Sequence, residues 1–104
     1  MQSQRSEAMD NRIIVSVITP GGEPVRFECD SLRLTVSDGK NGRGGGLYGI
    51  RRGHARAVIS LGKGVLEAYL GGKLIRRQMC SEGFAKVEPD RVAVVVEHAD
   101  KAEE

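Results

Sequence analysis

The sequence predicts an all-β domain, a flattened sandwich or barrel of short strands, and three observations carry that reading. Apolar and polar residues alternate with a period of two over several short stretches, as they must on a strand with one face buried. Turn-forming residues punctuate those stretches at intervals of about eight to twelve residues, the spacing of sandwiches and barrels. Up to Glu97 no stretch carries the apolar spacing of a helix.

Taken in order, Ile13, Val15 and Val17 mark a first strand that Pro20-Gly21-Gly22 ends in a turn. Val25, Phe27 and Cys29 alternate with Arg26 and Glu28, and Leu32, Leu34 and Val36 alternate with Ser31, Arg33, Thr35 and Ser37. The glycine-rich stretch from Asp38 to Gly49 reads as a mobile surface loop, because glycine raises backbone entropy. Val65 to Leu70 and Lys73 to Cys80 flank Gly71-Gly72, a two-residue connection suited to a type I′ hairpin. Phe84 to Glu88 and Arg91 to Glu97 flank Pro89-Asp90 as a second hairpin. Within the last strand, Val92-Ala93-Val94-Val95-Val96 is apolar on both faces. Such a strand is either covered on both sides at the centre of a sandwich or meets another subunit with its outer face. The tail from His98 to Glu104 has helix-forming composition but is too short to hold a helix alone, so it frays or orders against a partner. The resulting division is a flexible segment over 1–11, one β-domain over 12–97 and a tail over 98–104, with no sequence repeat.

Composition excludes several functions. At 104 residues the chain suits one small domain, and its net charge of +2 comes from acids and bases interspersed along it. A dedicated DNA-binding domain would gather its basic residues on one face. No apolar run approaches the eighteen or so residues of a membrane span. Met1 to Arg12 is polar and has no hydrophobic stretch of a signal peptide, so a cytoplasmic address is expected. Cys29 and Cys80, the two cysteines, are then expected to be free, buried thiols. With two Tyr, two Phe and no Trp, the chain has little from which to build base-stacking platforms.

The motifs that could carry chemistry are weak. Gly44, Gly46 and Gly49 form a G-x-G-x-x-G match, but they lead into Ile50-Arg51-Arg52-Gly53, which does not start a helix, and dinucleotide binding needs that helix N-terminus. No Gly-Lys-Ser/Thr follows, so a Walker loop is absent too. His54 and His98 are far apart in sequence with no third ligand at metal spacing, and no nucleophile elbow is present. Glu67, Glu82, Glu88 and Glu97 fall in or beside strands as ordinary surface carboxylates. No catalytic residue, cofactor site or metal site is expected. A small β-barrel module binding nucleic acid through Lys40, Arg43, Arg51, Arg52 and Arg56 is the alternative, and the scarcity of aromatics weighs against it.

Two segments carry more. Gly49-Ile50-Arg51-Arg52-Gly53-His54-Ala55 resembles the "GILPGHA" loop of the epsilon subunit of F-type ATP synthases. Gly83-Phe84 with Val87-Glu88-Pro89-Asp90-Arg91-Val92 resembles that family's "SGGFLEVRPDKVTV" segment. Ile14-Val15-Ser16-Val17-Ile18-Thr19-Pro20-Gly21-Gly22, Leu34-Thr35-Val36-Ser37 and Ala99-Asp100-Lys101-Ala102-Glu103-Glu104 are similar to its opening strand, a later strand and its tail, in the same order. The resemblance implies a sandwich of about ten strands. It implies a non-catalytic central-stalk subunit that packs on the gamma subunit, rests on the c-ring and couples its rotation to the catalytic head. Such a subunit lies peripherally on the cytoplasmic face of the membrane and touches it only through the complex. By this resemblance Gly49, Ile50, Arg51, Arg52, Gly53, His54 and Ala55 face the c-ring, and Phe84, Val87, Val94 and Val96 are candidates for gamma contact, with core packing the better single expectation for each of those four. His54 has two roles open to it, direct contact or a hydrogen bond that stabilises its own loop. Three departures stand out. The family loop, "GEEGELGILPGHAP", is acidic and carries prolines, whereas Lys40, Arg43, Arg51, Arg52 and Arg56 make this one basic. Ser81-Glu82-Gly83 replaces "SGG". The sequence stops where the family's inhibitory helical hairpin begins, so neither inhibition nor that hairpin's ATP binding is expected of it.

Overall fold

The computed structural model describes residues 11–38 and 44–102, and among them it contains eight strands and no helix. In chain order these are β1 (Ile13–Ile18), β2 (Val25–Cys29), β3 (Ser31–Ser37), β4 (Gly44–Ile50), β5 (Ala57–Leu70), β6 (Lys73–Cys80), β7 (Gly83–Val87) and β8 (Arg91–Val96). They hydrogen-bond into a single mixed sheet in the order β2-β1-β8-β7-β5-β3-β4, with β6 paired to β5 beside that path. The sheet curls into a half-barrel, and the all-β class read from the sequence holds.

The β5 strand makes this curl possible. Ala57 to Leu61 pair with β7, Gly64 to Leu70 pair with β6, and the opposite edge of β5 pairs with β3. Between the two halves the register slips, from Leu34↔Leu66 to Val36↔Leu61, so extra residues of β5 bulge out around Gly62-Lys63-Gly64. Gly64 leaves room there for Thr35, whose hydroxyl accepts from the Val65 amide at 2.9 Å and donates to the Val65 carbonyl at 3.2 Å. A Cβ on Gly64 would collide with the Thr35 side chain. One fourteen-residue strand thus does the work of two, which is one reason that the described residues hold eight strands where about ten were expected.

Turn chemistry fixes the hairpins as the sequence indicated. Gly71 and Gly72 sit at φ +62° and +80°, the positive pair a type I′ turn requires. At the β7–β8 turn the Glu88 amide donates to the Arg91 carbonyl at 2.8 Å. β1 pairs antiparallel with β2 and in parallel with β8, so the first and last strands lie side by side.

The glycine stretch departs from expectation. Gly44 to Ile50 form β4, an edge strand on β3, and not a loop. Side-chain-free residues pair as well as any others, and Gly45 lies close against Asp38, where a Cβ would meet backbone at 3.1 Å. Glycines inside a strand cannot make the strand-to-helix turn of a dinucleotide site. Lys40 and Arg43 lie outside the described residues, as does nearly all of the 1–11 segment.

Ile13, Val15, Leu32, Ile50, Leu66, Ala85, Val87, Val92 and Val94 fill the core between the inner faces. Cys29 is buried there and Cys80 half-buried, and both are free thiols. The tail is extended through Ala102 and not helical. Ala99 bridges Cys80, the Asp100 amide donates to the Met79 carbonyl at 2.8 Å, and the buried Gln78 amide donates to the Asp100 carbonyl at 2.9 Å. Backbone groups left open on the β6 edge are thereby satisfied.

Candidate functional site

The two sequence segments that carry the family likeness form one structure. β4 ends at Ile50, and Arg51, Arg52 and Gly53 then turn outward, exposed. Gly53 takes φ +89°, a conformation that favours glycine, and its amide donates to the Pro89 carbonyl at 2.7 Å. Beside it Arg56 pairs with Glu88 at 3.3 Å. The 49–55 loop and the β7–β8 turn therefore brace each other at one end of the half-barrel.

Within the loop, the His54 amide donates to the Arg51 carbonyl at 3.2 Å. His54 Nδ1 lies 2.6 Å from the Ala55 carbonyl, which can only accept, so that nitrogen carries a proton. In the neutral ring Nε2 is then an acceptor, and the Tyr48 hydroxyl donates to it at 2.8 Å. The two rings meet edge to face with centroids 5.7 Å apart. Of the two roles open to His54, the structure contains the loop-stabilising one. Ile50, at the start of the loop, has its side chain fully buried in the core and anchors the loop to it.

A second surface lies on the outer face of β1, β8, β7 and the first half of β5. The registers Ile18↔Val95, Val95↔Phe84 and Phe84↔Ser60 place one row across four strands. Ser16, Ala93, Lys86 and Val58 form the next row. Phe84 is 45% exposed and Val58 72% exposed, and Ile14 is exposed on the same face. No other layer of the described chain covers this face. Val87, Val94 and Val96 point the opposite way into the core, at 1%, 0% and 2% exposure, which is the core-packing role expected of them ahead of gamma contact. Neighbours on a strand alternate faces, and Val94 and Val96 share the phase of buried Val92. Phe84 alone of the four is on the surface. Sequence reasoning missed Val58 and Val95, because Ala57-Val58-Ile59 and Val92 to Val96 are apolar runs that do not show which face each residue takes.

Glu82 occupies a bend, and the glycine that space demands is Gly83, where a Cβ would overlap the Val95 carbonyl oxygen. Among the described residues no group of three or more His, Cys, Asp or Glu could hold a metal, and no helix is long and apolar enough to cross a membrane. Burial pushes the Cys29 thiol up to about 12, which keeps it protonated and unreactive.

These features define a small all-β sandwich domain whose distinguishing surfaces are a braced basic loop at one end and an outer sheet face that exposes Phe84, Val58 and Ile14. Residues 12–102 match the family profile of the ATP synthase delta/epsilon chain β-sandwich domain, and the chain belongs to that family. An ATP synthase epsilon chain of Leptospira borgpetersenii is 34% identical over 88 residues, covering 85% of this chain and 63% of that protein. The epsilon chain of Campylobacter jejuni is 33% identical, covering 88% and 65%. The chain thus spans less than two thirds of the length of these relatives. Among solved structures, a chain of the Euglena gracilis mitochondrial ATP synthase, in its OSCP/F1/c-ring assembly in rotational state 1, superposes with a TM-score of 0.61 at 26% identity, covering 86% of this chain and 53% of that one.

Proposed function

We propose that this domain is a non-catalytic rotor component of an F-type ATP synthase, docked on the gamma subunit and standing against the c-ring. Membership of the delta/epsilon β-sandwich family supports an ATP synthase role. The observation that carries the docking is the exposure of Phe84, Val58 and Ile14 on one outer sheet face. An exposed aromatic such as Phe84, with Val95 beside it on the sheet, is the kind of residue that anchors a protein interface. The 49–55 loop, through Arg51, Arg52, Gly53, His54 and Ala55, is the ring-facing element, and its bracing by the β7–β8 turn suits a part that transmits force without bending. Arginines there favour a ring whose loops are acidic. The domain then sits at the membrane peripherally, held by the F1 sector.

The test is co-expression with the neighbouring ATP synthase genes, reading whether the chain enters a gamma-containing complex. Phe84→Asp with Val58→Asp should weaken that association by roughly thirtyfold or more, the effect of losing a hot spot. Arg51→Glu with Arg52→Glu should leave gamma association intact and reduce ring engagement. Failure of the unaltered chain to co-purify with gamma would overturn the proposal.

A further inference from the structure

We propose that the cleft between the 49–55 loop and the β2–β3 corner is an anion site that takes a phosphate group. The cleft measures about 460 Å³, within the range of sites for small ligands, and is lined mainly by polar groups. Three arginines, Arg33, Arg51 and Arg52, line it from two separate parts of the chain. Its one lining carboxylate among the described residues, Asp30, accepts from the Gly71 amide at 2.8 Å through Oδ2, and three arginines against that one carboxylate leave the lining with an excess of positive charge.

The arginines are positioned without being neutralised. Arg33 lies over the Tyr69 ring at 5.0 Å, a stacking that fixes the guanidinium and leaves its charge in place. Glu67, opposite Arg33 in register, is engaged instead by Arg77 at 3.7 Å and by the Tyr69 hydroxyl at 3.2 Å. Arg52 donates to the Arg12 carbonyl at 3.3 Å, a bond that orients the side chain and carries no countercharge. Arg51 has no ion-pair partner among the described residues. A single carboxylate offers two oxygens, fewer than three arginine forks can use, whereas a phosphate offers three or more. Ser31 and Asn11 on the same wall add neutral hydrogen-bonding groups. The phosphate could belong to a soluble compound or to a phospholipid headgroup, and the chemistry of capture is the same.

The experiment titrates the full chain with pyrophosphate at constant ionic strength by calorimetry. Saturable binding is expected, lost in Arg33→Gln/Arg51→Gln/Arg52→Gln. It should persist within about twofold in Arg26→Gln/Lys63→Gln/Lys86→Gln, which removes equal charge elsewhere on the surface. Arg51→Gln alone, at an exposed loop position that threatens no packing, should weaken binding roughly tenfold, the worth of one charge-assisted pair. A second arm measures sedimentation with phosphatidylglycerol-containing vesicles against phosphatidylcholine vesicles. Vesicle binding with the same variant pattern identifies the headgroup as the source; pyrophosphate binding without vesicle binding identifies a soluble phosphate. No saturable binding of either probe, or equal loss in the control triple, overturns the site. Co-purification with gamma is read separately, so the anion site and the rotor role can fail independently.

Discussion

At Gly83 one hydrogen atom separates β7 from β8. A methyl group there would overlap the Val95 carbonyl oxygen and press on Val96, both held by the sheet. Gly83→Ala should cost on the order of 2 kcal/mol, as overpacking does, and lower Tm by roughly 10 °C. Gly49→Ala, with open space around the position, is the control and should stay within about 0.5 kcal/mol. Cys29 gives a second prediction at this scale. Burial is the largest cause of its rise to about 12, with a smaller rise from Asp30 and an opposing backbone hydrogen bond at Ser31. Cys80 is raised to about 11, again chiefly by burial. In the unfolded chain a thiol titrates at about 8.5, so the stability these neutral thiols contribute is complete below that pH. It is lost as pH climbs toward the folded values. Denaturant midpoints of the parent should therefore fall between pH 8 and 10.5, and Cys29→Ala should fall less steeply. A parallel fall in both would exclude the thiol as the cause.

At the scale of the element, the tail and the long strand β5 show what local sequence does and does not encode. Gln78, buried between Arg76 and the tail, accepts from the Arg76 guanidinium at 2.9 Å and holds the Asp100 carbonyl. Gln78→Ala should cost about 1 kcal/mol and speed amide exchange at Asp100 and Ser81, leaving exchange in β1 unchanged. No pattern in His98-Ala99-Asp100 announces that latch, because its partners lie on another strand. The hairpins were legible, since glycine pairs and Pro-Asp dictate their turns locally. β4 was not, because Gly44-Gly45-Gly46 has no side chains to show alternation. The first half of β5 was hidden by the bulge that breaks its period. Val92 to Val96 were recognised as a strand but could not be phased, since five apolar residues look alike from either face. For that reason Val94 and Val96 stood as contact candidates where Val95 faces outward.

For the whole molecule, the candidate site was legible in part. The resemblance located the 49–55 loop and Phe84, but not the contact between loop and turn through Gly53 and Pro89, nor the gathering of Arg33 with Arg51 and Arg52. Both arise from long-range pairing that sequence order conceals. The parallel pairing of β1 with β8 has a kinetic meaning as well. Of the strands described, β1 leaves the ribosome first, and one of its two neighbours is β8, which leaves last. Until then Ile13, Val15 and Val17 can be covered only in part, and the sheet cannot close. Pairings so distant in sequence make folding slow, on the order of milliseconds to seconds. Stopped-flow refolding should show that timescale, and ribosome-stalled chains ending before Arg91 should remain protease-sensitive at β1. The domain thus becomes a rigid body only after β8 has arrived beside β1.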